Sequence, residues 1–147
     1  MKKLLLVAGL AAGLAGGGMA LTYPRYRREM RGAKARLPAG SRILQTGHGE
    51  LEYAVLGEGR PALLLHGAGG GYDQGLWLGK LALGDGYKFV AVSRYGYLRT
   101  PIPPNASIQR QAAAYRDLLD GLNVQKVVVV GVSAGGPSAM QFAKRLL

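Results

Sequence analysis

Residues 127–135 read Val-Val-Val-Val-Gly-Val-Ser-Ala-Gly, and this stretch decides which fold the chain is expected to adopt. A β-branched run that leads into Gly-x-Ser-x-Gly and then into helix-forming residues predicts a strand, a tight turn and a helix. The turn brings backbone close together around Gly131 and Gly135, where a Cβ would collide with a neighbouring strand or helix. Ser133 is therefore expected to stand above the sheet at the N-terminus of the next helix, where N–H groups point at developing negative charge.

A second glycine-rich segment lies upstream. Residues 62–65 (Ala-Leu-Leu-Leu) predict a short buried strand that leads into His66 and the loop 67–71, Gly-Ala-Gly-Gly-Gly. Glycines after an inner strand let backbone N–H groups approach a substrate oxygen closely. His66 is expected to hold this loop by hydrogen bonding. A phosphate-binding loop is the competing interpretation, but the segment lacks both the Gly-x-x-x-x-Gly-Lys-Ser/Thr pattern and the dinucleotide fingerprint.

Together the two segments resemble the α/β-hydrolase family, which has a His-Gly-rich loop after its third strand and a nucleophile turn after its fifth. The resemblance covers residues 43–147 and corresponds to the N-terminal half of the family's catalytic domain. It implies that Ser133 is the nucleophile and that the N–H groups of Ala134 and Ala68 form the oxyanion hole, with Gly69 as the alternative to Ala68. The competing interpretation of Ser133 is an ordinary helix N-cap, a position that serine favours.

The order of the predicted elements indicates an α/β fold. Strands are expected near 42–46, 51–56, 62–66, 88–93 and 126–132, and helices near 73–83, 107–121 and 134–147. Alternating strands and helices predict a mostly parallel sheet with helices on both faces, which the resemblance makes an incomplete α/β-hydrolase sheet, preceded by an N-terminal transmembrane helix. Ser107 is expected to cap the middle helix and Gly121 to end it. The family places the 126–132 strand centrally, so without further strands beside it this valine-rich strand would form an exposed edge.

The catalytic partners of Ser133 are missing from the sequence that follows it. In the family the acid and the histidine come after the serine, whereas residues 134–147 contain no Asp, Glu or His. His48 is expected in the turn between the first two strands, and a serine without a base is a poor nucleophile. We therefore expect a truncated or incompletely sequenced hydrolase of carboxylic esters or related acyl compounds, and whether this chain alone is an enzyme stays open. The alternative is a non-catalytic, membrane-anchored remnant that acts as a binding or scaffold protein.

Three tyrosines are candidates for the substrate pocket. Tyr95 and Tyr97 follow the fourth strand, on the side of the sheet where ligands bind in open α/β folds, and Tyr72 follows the glycine loop. The competing interpretation is aromatic packing under a proline-rich loop. The expected substrate is a small ester-like molecule. The sequence indicates no cofactor and no metal, and the absence of cysteine excludes thiolate chemistry and cysteine-ligated metal.

Positive charge is concentrated near the N-terminus. Nine of the nineteen Lys and Arg residues lie in the first 42 positions, against one acid, Glu29. The remaining chain carries ten basic and seven acidic residues, an ordinary balance that argues against nucleic-acid binding by the domain. A basic segment beside an apolar run is typical of a membrane-flanking sequence.

The apolar run itself extends from Leu4 to Leu21 behind Lys2 and Lys3. Its eighteen residues reach the length of roughly 17–25 that spans a bilayer. We expect a single-pass anchor at 1–21, a basic juxtamembrane linker at 22–41 and a hydrolase-like domain at 42–147, with the domain on the cytoplasmic side because basic segments stay there. The alternative is a secretory signal that is cleaved near Ala20, followed by export.

Overall fold

The structure, a computed structural model, describes the backbone of residues 2–144 and the side chains of residues 17–33 and 35–144. The chain divides into two compact units, Met1–Ala39 and Gly40–Leu147. The second unit holds all the strands and the serine turn, so it positions the candidate site.

The first unit is built around one long helix, α1 (Lys2–Arg36), which includes Pro24. On its surface Arg25 Nε lies 2.9 Å from Glu29 Oε1, a pair spaced by one helical turn. Among the residues that the structure describes, no helix is both long and apolar enough to cross a membrane. Most of the transmembrane segment predicted at residues 4–21 falls on residues 4–16, whose side chains lie outside the described residues.

The second unit contains a five-stranded sheet at the positions that the apolar runs predict. Its strands are β1 (Arg42–Thr46), β2 (Gly49–Leu56), β3 (Arg60–Leu65), β4 (Tyr87–Val92) and β5 (Val128–Gly131). Its helices are α2 (Tyr72–Leu83), α3 (Ile108–Gly121) and α4 (Gly136–Lys144). The predicted helix 134–147 starts later because a short 3-10 turn over Ser133–Gly135 precedes it, and its last three residues lie outside the described part of the chain.

The sheet is mixed, which corrects the expectation of a mostly parallel one. The strand order is β1-β2-β4-β3-β5. β1 with β2 and β2 with β4 are antiparallel, whereas β3 pairs in parallel with both β4 and β5. The two-residue connection Gly47–His48 forces the first pair to be antiparallel, because parallel strands need a crossover connection. The parallel part of the sheet is the part that leads into the glycine loop and the serine turn.

Helices cover both faces of this sheet, as predicted. On one face α3 and α4 pack over alternate residues of β3 and β4, and Tyr115 meets Phe142 edge to face at 6.2 Å between ring centroids. On the other face α2 lies close to the sheet, since a Cβ built on Gly75 would be 3.3 Å from the Ala91 Cβ. Burying the Phe142 side chain stabilises the fold by about 2–3 kcal/mol by apolar transfer, so its contact with Tyr115 anchors α4 beneath the serine turn.

Two local predictions about the elements are confirmed. The Ser107 side chain accepts a hydrogen bond from the Arg110 N–H at 3.1 Å, which makes it the N-cap of α3. β5 pairs only with β3 among the described strands, and Val128 to Val130 are half-buried. The valine strand therefore forms one edge of the sheet in this part of the chain.

Candidate active site

The turn between β5 and α4 holds Ser133 in a left-handed backbone conformation. Val132 is extended (φ −110°, ψ 129°), and Ser133 has φ +50°. A positive φ is uncommon for a residue with a side chain, and such residues cluster at functional sites. Ser133 lies inside the turn and not at the N-cap of α4, which begins at Gly136, and it is exposed. Its hydroxyl is accessible at the carboxyl end of β5.

The glycines on either side of the serine are required by close packing, as predicted. A Cβ on Gly131 would lie 2.6 Å from the Ala139 Cβ, and one on Gly135 would run into the carbonyl oxygen of Leu65. Gly136, by contrast, has nothing within 4 Å of a built Cβ. Close packing therefore requires glycine at positions 131 and 135, whereas Gly136 could be replaced by a residue with a side chain.

His66 is buried at the end of β3 with both ring nitrogens engaged. Its Nε2 accepts a hydrogen bond from the Arg94 N–H at 2.9 Å, and its Nδ1 lies 2.7 Å from the Gly67 carbonyl oxygen. The first bond requires an unprotonated Nε2, so Nδ1 carries the proton and donates to Gly67. Burial lowers the pKa of His66 below its usual value. His66 thus holds the glycine loop, as predicted, and has no free nitrogen to serve as a base.

The glycine loop lies directly against the serine turn. A Cβ built on Gly67 would be 3.4 Å from the Ser133 Cβ and 3.4 Å from the Val132 carbonyl oxygen. The Gly67 N–H donates to Gln74 Oε1 at 3.0 Å. Ala68 and Gly69 follow at exposed positions. The structure therefore brings Ser133 and the predicted oxyanion residues together from segments 66 residues apart in sequence.

Arg94 completes the support of this loop. Its Nη2 donates to the Gly67 carbonyl oxygen at 3.1 Å, and its guanidinium lies over the Tyr97 ring, 4.9 Å from the centroid. Tyr97 in turn packs edge to face on His66 at 4.6 Å between centroids. The sequence analysis singled out Tyr97 but not Arg94, and the Arg-Tyr-Gly-Tyr run after β4 is the signal that could have indicated it.

A cleft of about 410 Å³ opens beside the serine turn. Ala134 of the serine turn and Arg94 and Tyr95 of the loop after β4 line it. The other lining residues come from the loop before α3 (Ile102, Ala106 and Ser107), from α3 (Ile108 and Gln111) and from α4 (Pro137 and Ser138). Its floor is polar, because buried Gln111 accepts from the Tyr95 N–H at 2.8 Å and donates to the Ser138 hydroxyl at 2.9 Å. Sequence reasoning missed Gln111 and Ser138, whose helix positions carry no chemical motif.

The three tyrosines proposed for the pocket occupy different places. Tyr95 lines the cleft and donates through its hydroxyl to the His48 carbonyl oxygen at 2.7 Å. Tyr97 packs on His66 beneath the loop. Tyr72 is buried on α2 with its ring near Gly40, and burial raises its pKa. Tyr72 is not among the residues that line the cleft beside Ala134, and its assignment to a substrate pocket stays a prediction.

A buried carboxylate, Glu52, supports the loop that carries Arg94, and sequence reasoning missed it. Glu52 Oε1 accepts from the Ser41 hydroxyl at 2.6 Å and from Arg99 Nε at 2.8 Å. Its Oε2 accepts from the Ser93 hydroxyl at 2.8 Å and from the Arg99 N–H at 3.1 Å. Ser93 also accepts from the Tyr72 N–H at 3.1 Å, so the carboxylate joins β2 to the start of α2. An acid within the apolar strand Leu51–Val55 was the available signal.

Ser133 has no acid–base partner within residues 17–33 and 35–144. His66 is occupied on both nitrogens, and His48 lies in the turn between β1 and β2. In the same part of the chain, no group of three or more His, Cys, Asp or Glu could hold a metal ion. The described residues therefore place an exposed serine hydroxyl beside a glycine loop, with no histidine or carboxylate bonded to it.

Comparison with known proteins gives a family match over most of the second unit. A model of the "Alpha/beta hydrolase family" matches residues 62–147. The uncharacterized hydrolase YcgS of Bacillus subtilis (strain 168) is 40% identical over 97 residues, which cover 65% of this chain and 33% of that protein. The chain thus spans about a third of the length of this relative.

Solved structures show the same architecture. An alpha/beta hydrolase fold protein from Nakamurella multipartita has a TM-score of 0.63 and 32% identity, over 71% of this chain and 36% of that one. The N-acyl homoserine lactonase AidH, solved with N-butanoyl homoserine, has a TM-score of 0.61 and 26% identity, over 72% of this chain and 40% of that one. These matches agree with the strand order and the helix placement described above.

Proposed function

The chain belongs to the alpha/beta hydrolase family, and we propose that it acts as a serine-dependent hydrolase of small carboxylic esters or related acyl compounds. The observation that carries this proposal is the exposed Ser133 at φ +50°, on a strand-to-helix turn beside the glycine loop. A strained, accessible hydroxyl with glycines on both sides matches the needs of a nucleophile better than those of a packing residue.

In the proposed reaction, the Ser133 oxygen attacks the substrate carbonyl carbon while a base takes the hydroxyl proton. The carbonyl electron pair moves onto oxygen, and the N–H groups of Ala134 and Ala68 receive that negative charge, with Gly69 as the alternative donor. Removing one such donor costs about 10²–10³ in kcat in other hydrolases. The alcohol then leaves with a proton, and water releases the acyl group from the serine. A carbonyl substrate suits this site because charge develops on an oxygen that backbone donors can reach.

The cleft beside Ala134 supports a small substrate. Its volume of about 410 Å³ lies within the range of small-molecule pockets. Ile102, Ile108 and Pro137 offer apolar surface, whereas Tyr95 and Gln111 place polar groups along the floor. The AidH relative is named for hydrolysis of an acyl homoserine lactone, a small cyclic ester. By analogy we assign the acyl or alcohol portion of an ester to this cleft.

The base and the acid of the proposed relay come from outside residues 40–144. Among the described residues, neither histidine is free to act as a base toward Ser133, since His66 is hydrogen-bonded at both nitrogens and His48 lies in the turn between β1 and β2. This is the observation that favours the alternative, in which the protein is a non-catalytic binding or scaffold protein that keeps the hydrolase architecture.

Labelling with a fluorophosphonate separates the two functions. The full chain, made as its source cell makes it, is treated with the probe, and the modified residue is identified by mass spectrometry. Modification of Ser133 that Ser133→Ala abolishes supports the enzyme. The matched control is Ser107→Asn, which removes another exposed cleft serine but keeps an N-cap acceptor, and it should label normally. A folded wild-type protein that stays unlabelled would favour the binding function.

The proposal includes a membrane tether through residues 4–21, with the hydrolase domain on the cytoplasmic side. Its support is the uncharged run between Lys3 and the basic segment 25–36. If the tether is correct, the protein stays in the membrane fraction after alkaline extraction, and deletion of residues 1–21 releases it. A mature N-terminus at Leu21 would instead establish cleavage and export.

A further inference from the structure

The carbonyl of Gly67 is held by two donors at once. His66 Nδ1 lies 2.7 Å and Arg94 Nη2 lies 3.1 Å from this oxygen, so both of its lone pairs are used. We infer that Arg94 is a positioning residue for catalysis: its guanidinium locks the Gly67–Ala68 peptide so that the Ala68 N–H faces the reacting oxygen at Ser133. This inference rests on the proposed hydrolase function.

Peptide geometry connects the carbonyl to the oxyanion donor. The Gly67–Ala68 peptide is trans, and in a planar trans peptide the C=O and the N–H point in opposite directions. The carbonyl is directed into the buried His66–Arg94 pair, so the Ala68 N–H is directed away from it, on the exposed side of the loop. No residue in the described part of the chain accepts a hydrogen bond from this N–H. It is therefore available to a ligand oxygen.

Among the described residues, the other hydrogen bonds of the loop act on different peptides. Gln74 holds the Gly67 N–H, which belongs to the preceding peptide. Gly71, farther along, donates to Asp73 and accepts from the Gly75 N–H. Rotation of the 67–68 peptide would break the bonds from both His66 and Arg94, so these two side chains set the direction of the Ala68 N–H.

The surroundings of Arg94 argue for a function beyond packing. Its Nε is buried and has no hydrogen-bond partner among the described residues, and no acid in residues 17–33 and 35–144 forms an ion pair with it. The residue as a whole is half-buried at the edge of the cleft, and a cation held there against a carbonyl oxygen and the Tyr97 ring is less well hydrated than one in water. The same positive charge beside Gly67 also favours negative charge on a nearby oxyanion.

Arg110 provides a matched control. Its Nε and Nη2 also donate to loop carbonyl oxygens, those of His48 at 3.2 Å and Gly47 at 3.4 Å, but in the turn between β1 and β2. Arg110 does not line the cleft beside Ser133. A substitution there removes the same kind of contact without touching the proposed oxyanion peptide.

The test uses the full chain and the rate of Ser133 modification by a phosphonate ester, whose tetrahedral centre places an oxygen where the oxyanion forms. The maximal rate constant and the half-saturating probe concentration are measured separately for Arg94→Ala, Arg94→Lys and Arg110→Ala. We expect Arg94→Ala to lower the maximal rate by about 10–100-fold, somewhat less than removal of a donor, with half-saturation changed less than about twofold. Arg94→Lys should also be slow, since an ammonium does not stack on the Tyr97 ring as the planar guanidinium does and so does not hold the same position beside Gly67. Arg110→Ala should react like the wild type.

Chemical rescue distinguishes positioning from stability. Guanidinium at tens of millimolar should restore part of the rate to Arg94→Ala and none to Arg94→Lys, whereas loss of fold would not be reversed by a denaturing ion. If Arg94→Ala does not fold, Arg94→Lys carries the test. If the wild type is labelled at Ser133 and the Arg94 variants are labelled at the same rate, the inference is overturned and the proposed function still stands. A wild type that is not modified at Ser133 would remove both.

Discussion

Replacing Glu52 by Gln is the perturbation whose effect can be worked out most fully. The Glu52 side chain is 1% exposed and accepts four hydrogen bonds, two of them from Arg99. A glutamine has one acceptor oxygen, so two of those donors would face an NH₂ group. Removing one partner of a buried ion pair costs about 3–5 kcal/mol. Because the Arg99 side chain is 35% exposed and can be rehydrated, we take the lower end, about 3 kcal/mol.

Urea unfolding measures this loss of unfolding free energy directly, and thermal unfolding measures it as a shift in melting temperature. For a unit of this size, about 3 kcal/mol corresponds to a melting temperature lower by roughly 10–20 °C. Glu50→Gln is the control on the same strand, since the hydrogen bond that its carboxylate accepts among the described residues comes from the exposed Gln45 side chain at 2.7 Å. Its effect should stay within about 0.5 kcal/mol.

The pH dependence gives a second signature of Glu52. Burial by itself raises the pKa of this carboxyl, but hydrogen bonds from Ser41, Arg99 and Ser93 outweigh it and hold the pKa below its usual value. A lowered pKa stabilises the folded state above the unfolded-state pKa of about 4.3, and this contribution is lost as pH falls toward the folded-state pKa. The difference in the free energy of unfolding between wild type and Glu52→Gln should therefore narrow below about pH 4. Equal stability of the two proteins at pH 7, or a gap that widens in acid, would refute the reasoning.

Three further outcomes are expected. Gly135→Ala should abolish or severely reduce folding, measured by circular dichroism, because its Cβ would meet the Leu65 carbonyl oxygen. Gly136→Ala should be neutral or stabilising by up to about 1 kcal/mol, since residue 136 is helical and nothing lies near a Cβ built there. Ser107→Ala should cost about 1 kcal/mol in thermal unfolding and Ser107→Asn little, because only the second retains a cap acceptor. The folded-state pKa of His66 is lowered by burial, so stability should fall as pH drops below about 6.5, and a His66→Asn variant should lack that slope.

The order and type of the elements could be predicted from the sequence. The periods of apolar residues, the Ser107 cap and the Gly-x-Ser-x-Gly turn depend on contacts within a few residues, and each lies where expected. The parallel character of the sheet was predicted wrongly for two reasons. The short connection Gly47–His48 already requires β1 and β2 to be antiparallel, and β2 pairs antiparallel with β4, a partner that lies far along the chain. The membrane span was predicted from the apolar run and its basic flanks, and most of that run lies outside the residues whose side chains the structure describes.

The support of the candidate site could not be predicted in the same way. Glu52, Arg94 and Gln111 carry no recognisable motif, because their partners come from other strands and helices. Tyr72 was placed in the pocket on the basis of its position after the glycine loop, yet its ring turns into the core toward Gly40. Side-chain direction at such a position depends on what packs against it.

The sequence by itself predicted a tight turn at Ser133 with Gly131 and Gly135 on either side, because the strand and the Gly-x-Ser-x-Gly pattern lie within nine residues. It also predicted that His66 holds the glycine loop by hydrogen bonding. The contact that excludes a side chain at Gly135 is with the Leu65 carbonyl oxygen, which only the tertiary structure brings there. Only the tertiary structure decided that β3 and β5 are neighbours, which brings Gly67 within van der Waals reach of Ser133. The physical reason is that strand pairing depends on how much apolar surface the whole sheet buries on both faces, and no short segment of sequence contains that information.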